Sequence, residues 1–194
     1  MTLAAVRRAL AGYSAKVEEA PEALPAAVAL ILIERHGLEA LFIKRAVRAG
    51  DPWSGQVALP GGRYEAADHD LLTTAIRETR EETGVDLTSA ERLGALDDLH
   101  PRTPTLPPVL VRPFVFTIPA APALANSEEV ERAFWVPLDR FTEPGVRHDV
   151  KLMLRGEIRV FPAYDLGEDV IWGMTERILT PFLTLLGLIH NSPV

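Results

Sequence analysis

Apolar and polar positions along this chain follow two rhythms, one helical and one strand-like, and together they predict an order of elements. Leu3, Val6, Leu10 and Tyr13 fall on one stripe at helical period, which predicts an amphipathic N-terminal helix over about residues 2–17. A Pro-containing linker over 18–25 leads into the unbroken apolar run from Ala26 to Ile33, the pattern of a central strand covered on both faces. His36 and Gly37 make a turn, and 39–44 returns as a second strand. Further strands are predicted over 92–99, 109–118, 133–138 and 157–164, with Pro113 marking a bulge or an edge position. Residues 119–126 form an Ala/Pro linker, and Ser127 offers cap chemistry for a helix start bearing Glu128 and Glu129. The C-terminal segment, about 170–189, reads as a helix with Ile171, Met174, Ile178, Phe182 and Leu185 on its stripe; Pro181 inside it predicts a kink or a break. Strands and helices mixed in this order predict an α/β fold. The length of 194 residues favours one domain over 1–194.

The densest information lies between Gly55 and Val85. A short apolar run breaks at Pro60-Gly61-Gly62, loops past Glu65 and Asp68, and enters a helix whose buried stripe is Leu71, Leu72, Ala75, Ile76, Thr79 and Thr83. Asp68 or Asp70 supplies the N-cap and Gly84 the stop. Glu78, Glu81 and Glu82 are related as i, i+3 and i+4, so their carboxylates converge in one sector beside the stripe. Glu82 points to the edge of the buried face, where an unpartnered anion is costly. Arg77, four residues before Glu81, neutralises part of that charge. A divalent cation would neutralise the rest, and oxygen-only ligands suit magnesium or manganese. The ordinary reading of such a run is a solvated helix face laced with ion pairs; the Gly-Gly turn just before the helix argues for the chemical one.

Gly62, Arg77, Glu78, Glu81, Glu82, Gly84 and Val85 resemble the signature of the Nudix hydrolases: Gly, five residues, Glu, seven residues, Arg-Glu, an aliphatic, any residue, Glu-Glu, any residue, Gly and an aliphatic. Three departures are visible. Asp68 stands where the first Glu belongs, one extra residue separates it from Arg77, and Thr79 replaces the aliphatic. The resemblance implies an α/β/α sandwich around a mixed sheet and hydrolysis of a diphosphate linked to another moiety. It implies that Glu78 and Glu82 hold Mg2+ or Mn2+ with Glu81 assisting, that the Gly61 carbonyl adds a ligand, and that Arg77 orients the carboxylates. The general base stays open among Glu81, Glu128 and Glu129.

Composition narrows the partners. A net charge of −7 lacks the basic footprint that nucleic-acid phosphates require. With no cysteine there is no disulfide, thiolate or zinc-cysteine chemistry. Arg7 and Arg8 interrupt the N-terminal apolar stretch, which argues against a signal peptide, and no apolar run is long enough to span a bilayer. The expectation is a cytoplasmic protein whose partner is a small-molecule nucleotide, with no nucleic acid and no membrane. A homodimer is left open.

The substrate must be read outside the signature. Leu41, Arg45, Ala46, Gly55, Pro60, Gly61 and Gly62 resemble part of the upstream pattern of coenzyme A pyrophosphatases, a Nudix subgroup. Phe42 and Ile43 depart from that pattern, Leu59 stands for its Phe, and Arg48 is the nearest residue to an Arg that is missing before Gly55. Residues 161–179 also resemble that subgroup's C-terminal region. This implies coenzyme A as substrate, with Lys44, Arg45 and Arg48 as cations for its phosphates and Trp53 as a flat surface for a base or a cover for the core. The loop over 46–54 is expected to border the site, and the Pro-rich loop over 100–108 either shapes specificity or merely connects. ADP-ribose or an NADH-type dinucleotide is the alternative substrate. A non-catalytic nucleotide-binding regulatory module is the alternative class, one with no need of the three glutamates.

Overall fold

The computed structural model describes residues 1–50, 53–101, 107–154 and 156–190. The first helix, α1 (Leu3–Ala11), buries Val6 and Leu10 from the predicted stripe. It ends six residues before the expected boundary at 17, with Gly12 at its C-cap. The reason is tertiary: the Tyr13 hydroxyl donates to Asp97 at 2.5 Å, and the Lys16 N–H donates to the same carboxylate oxygen at 2.8 Å. The Glu18 N–H then donates to buried Asp98 at 3.0 Å, whose carboxylate also accepts both arms of Arg112 at 2.8 and 2.7 Å. The chain after α1 is thus strapped in extended form across the sheet.

That sheet is built from β1 (Leu24–Glu34), β2 (Leu38–Arg45), β3 (Val57–Ala58), β4 (Gly61–Arg63), β5 (Glu91–Ala95), β6 (Val109–Thr117) and β7 (Val130–Pro137). Its main path runs β3-β2-β1-β6-β5, with β4 also pairing β1 and β7 pairing β2. Only β1 and β6 run parallel; every other pairing is antiparallel, so the sheet is mixed. Alternation along β1 sends Ala27, Ala29, Ile31 and Ile33 into one core and Ala26, Leu30 and Leu32 into the other. The first core is closed by α2 (Leu71–Thr83). The second is closed by α1, by α3 (Met174–Leu185) and by the base of a three-stranded sheet, β8 (Arg147–Leu154), β9 (Glu157–Asp165) and β10 (Val170–Trp172), in the order β10-β9-β8. The architecture is the expected α/β/α sandwich around a mixed sheet. No helix of the described residues is long and apolar enough to cross a membrane.

Several boundaries differ from the pattern-based expectation, each for a physical reason. The segment over 170–189 opens as a strand, because Val170 to Trp172 pair with Asp165 to Ala163 before the helix begins. Pro181 does not break α3: both Pro181 and Arg177, whose carbonyl its ring leaves unpaired, are exposed, so water can satisfy that acceptor. Pro113 lies in β6, between two neighbours and not on an edge. Its carbonyl still accepts the Leu96 N–H at 2.9 Å, one step past the end of β5 at Ala95, so the ring forfeits only its own donor there. Ser127 starts no helix; its Oγ accepts the Glu129 N–H at 3.2 Å in a turn that feeds β7. Asp51 and Pro52 of the first loop, and 102–106 of the Pro-rich loop, lie outside the described residues.

Leu10→Ala is expected to cost about 2–4 kcal/mol of stability, the range for truncating a buried leucine. Urea denaturation measures this; a change below about 0.5 kcal/mol, typical of surface sites, would show that α1 does not dock on the sheet.

Candidate active site

The site forms where β4 is held between β1 and α2. Along one edge of β4 the Ala29 N–H donates to Pro60 O at 2.8 Å and the Tyr64 N–H to Pro25 O at 2.9 Å, both on the β1 side. Along the other edge the Gly61 N–H donates to Glu82 Oε2 at 2.8 Å, and Arg63 O accepts Arg77 Nη2 at 3.1 Å. The two glycines are what this seam demands. A Cβ on Gly61 would sit 2.2 Å from Ala27 O, and one on Gly62 would sit 2.4 Å from the Glu78 carboxyl carbon. Gly61 also holds φ at 150°, a region L side chains rarely adopt.

α2 has the expected punctuation. Asp70 is the N-cap, accepting the Thr73 N–H at 2.8 Å, and Gly84 closes the helix in the left-handed region at φ 74°. Thr79, which stands where an aliphatic was expected, is fully buried, and its hydroxyl donates back to Ala75 O at 2.7 Å. Asp68 is buried as well. It accepts Arg77 Nε and Nη2, each at 2.9 Å, the Thr74 hydroxyl at 2.8 Å and the Glu65 N–H at 3.0 Å. Arg77 Nη1 reaches Glu78 at 2.9 Å and Glu81 at 3.1 Å. The Arg77 hydrogen bonds, reinforced by those from Glu65 and Thr74, hold the Asp68 carboxyl well below the usual carboxylate range despite its burial. The extra residue in the loop is absorbed without loss of this contact.

Glu82 is in the opposite situation. Burial pushes its carboxyl up to about 8; the Gly61 N–H and Arg45 pull it back, while the charges of Glu78 and Glu129 add to the rise. Arg45 Nη1 stands 3.7 Å from Glu82 Oε1. Burial also raises Glu78, against the pull of Arg77. Glu78, Glu82, Gly61 and Gly62 all line one cavity of about 480 Å3. Among the described residues no three His, Cys, Asp or Glu side chains stand gathered as a formed metal cage, since Glu78 turns to Arg77 and Glu82 to Gly61. The donor set still fits a hard divalent cation. It is all oxygen, and one buried carboxylate carries more charge than its protein partners offset.

The other expected site residues divide. Arg45, Trp53 and Glu129 line the same cavity, and Trp53 also packs against the core, so cover and flat wall are one surface. Lys44, Arg48, Glu81 and Glu128 lie outside its lining. Lys44 is drawn to Glu131 at 3.5 Å, and Arg48 pairs with Glu129 at 3.0 Å. Glu81 is largely exposed on the Arg77 side of α2. Arg63, which sequence reasoning passed over, lines the cavity, and its side chain has no hydrogen-bond or ion-pair partner among the described residues. Its one sequence signal was its place directly after the Gly-Gly pair. Val109, Val111 and Ile178 add an apolar wall from elements far apart in the chain, and nothing local marked them.

Comparison with known proteins agrees with this geometry. The NUDIX domain family model matches residues 23–155. The chain is 33% identical over 183 residues to the human mitochondrial coenzyme A diphosphatase NUDT8, covering 93% of this chain and 76% of that protein. It is 30% identical over 165 residues to an uncharacterized Nudix hydrolase NudL from Salmonella newport, covering 84% of this chain and 83% of the other. A MutT/nudix family protein from Enterococcus faecalis shares the fold, with a TM-score of 0.57 at 18% identity over 96% of this chain and 80% of that one.

Asp68→Asn should cost roughly 3–5 kcal/mol near neutral pH, because it strips the counter-charge from a partly buried guanidinium. A carboxyl held below its unfolded value stabilises the fold above that value, and the contribution is lost as pH falls. The gap between wild type and variant should therefore close as pH drops below about 4, read from denaturation midpoints against pH. A gap that is constant with pH would contradict the ion-pair account.

Proposed function

The chain belongs to the Nudix family and is a Nudix hydrolase, and from that premise we propose that it cleaves coenzyme A to 3′,5′-ADP and 4′-phosphopantetheine. The observation that carries the reading is the pairing, in one cavity, of Glu78 and buried Glu82 with Arg45, Arg63 and Trp53. Acidic groups face the place where a metal-bound diphosphate would lie, and cations with a flat ring stand ready for the phosphates and base of an adenosine moiety. The similarity to a human coenzyme A diphosphatase over most of the chain supports this substrate among nucleoside diphosphate compounds.

Glu78, Glu82 and the Gly61 carbonyl would hold Mg2+ or Mn2+, which supplies activation of the attacking water and neutralisation of diphosphate charge. The residues of the chain do the rest. Arg77 fixes the orientation of Glu78 through its 2.9 Å bond, and the Gly61 N–H fixes Glu82. Arg63, whose side chain has no partner among the described residues, would take a phosphate oxygen. Water adds to one phosphorus as the bridging P–O bond breaks, leaving two phosphomonoesters. Of the three candidates for the base, Glu129 is the one that lines the cavity, and we assign it the proton from water.

Incubation with coenzyme A and Mg2+, with products identified by mass, is expected to yield the two named phosphomonoesters. Glu82→Gln should lose most of the turnover while circular dichroism stays unchanged. Faster cleavage of ADP-ribose or NADH than of coenzyme A would overturn the substrate, and undiminished turnover in folded Glu82→Gln would overturn the site.

Glu129→Gln should lower kcat by about 10²-fold or more, the scale of a lost general base, and Glu81→Gln by much less. The reverse order in steady-state kinetics would move the base to Glu81.

A further inference from the structure

The second sheet ends in an unpaired edge. β8 is the last strand in the order β10-β9-β8, and no described strand pairs with its outer side. The hairpin it forms with β9 is apolar toward its tip, with Met153, Ile158 and Val160 each more than half exposed. All three lie on one face, since Met153 pairs with Ile158 and Lys151 with Val160. A free edge with an apolar face is a template for another strand, and monomeric proteins guard against it. Among the described residues no helix, bulge or proline blunts β8.

The edge is complementary to itself. Asp165 N donates to Val146 O at 2.8 Å, so the backbone groups at even positions along β8 face β9. Those of Arg147, Asp149, Lys151 and Met153 therefore face outward. Set a second copy of β8 antiparallel about a two-fold axis at Val150, and Asp149 falls opposite Lys151 of the other copy, with Arg147 opposite Met153. In that register every outward N–H and carbonyl of the four residues meets a partner. Each Asp–Lys pair then sits on one face as a directly opposed cross-strand pair. Neither Asp149 nor Lys151 has an ion-pair partner within its own chain among the described residues. The apolar tips of both hairpins, Ile158 and Val160, extend the same face on either side.

We propose that β8 is a homodimerisation edge, two copies of the chain joining their three-stranded sheets through an isologous antiparallel β8–β8 pairing centred on Val150. A two-fold interface uses one patch twice, so a single charge change acts at two places.

The test is sedimentation equilibrium of the full chain with charge-swapped variants. Wild type should sediment at twice the 21.3 kDa chain mass. Asp149→Lys sets like charges opposite each other twice and should weaken the dimer roughly tenfold or more; Lys151→Asp should do the same. The double variant Asp149→Lys with Lys151→Asp restores both opposite-charge pairs and should recover the dimer, which a merely misfolded variant would not do. Amide exchange gives a second readout: the Asp149 and Lys151 amides should be protected in the dimer and fast in the single variants, while Val150 and Leu152 stay protected in both. A wild type that is monomeric at its highest soluble concentration, a dimer that ignores the single changes, or a double variant that stays monomeric would each overturn the proposal.

Discussion

One guanidinium organises the half of this molecule that carries the candidate site. Arg77 binds Asp68 through two nitrogens, reaches Glu78 and Glu81 with a third contact atom, and takes Arg63 O from β4. It thus joins the loop after the Gly-Gly turn, the strand before that loop and the helix beyond it. Its planar fork allows several directed bonds at once, which a lysine ammonium would make less selectively. Because Asp68 is buried, the pairing also compensates a charge that the core could not otherwise hold.

The seam between β4 and α2 shows how packing prepares chemistry. Backbone approaches so close that neither Gly61 nor Gly62 can carry a side chain place two carboxylates against a strand edge. Glu82 is then dry enough for its ionised form to be disfavoured, while Asp68, buried as well, is held firmly ionised. Burial acts on both; the difference is the number of directed donors each receives. Asp68 has an arginine, a hydroxyl and an N–H, whereas Glu82 has one N–H and a more distant arginine. A site that leaves a buried carboxylate under-compensated is less stable than it could be, and such groups cluster where function asks for them.

The opposite face of the sheet has a different task. Its core brings α3, the base of the second sheet and the strap after α1 together, and it supplies the apolar wall of the cavity through Val109, Val111 and Ile178. The same layer carries the hairpin whose edge remains open. The candidate cavity and the open edge therefore sit on elements fastened by one core.

What the sequence by itself determined is local and periodic. The helix over 71–83, its caps and the burial of Glu82 at the edge of its apolar stripe follow from spacing within one element, because helical geometry relates neighbours in sequence to neighbours in space. The central strand over 26–33 was legible for the same reason. The need for bare backbone at Gly61 and Gly62, by contrast, comes from β1 and α2. What only the tertiary structure decided is convergence between elements distant in the chain. Glu129 and Arg45 come to the cavity while Glu81, Lys44, Arg48 and Glu128 do not, although the sequence offered all six as candidates, and Arg63 joins the lining without having been one. The end of α1 depended on Asp97, more than eighty residues away, and the first residues of the C-terminal segment became strand because a partner strand lay beside them. β8 was not among the strands read from the sequence, although Val150, Leu152 and Leu154 alternate with more exposed neighbours, and its pairing with β9 is what made it a strand. Local pattern reports which way a side chain points from its own element; which other elements it meets is set by packing that no short window contains.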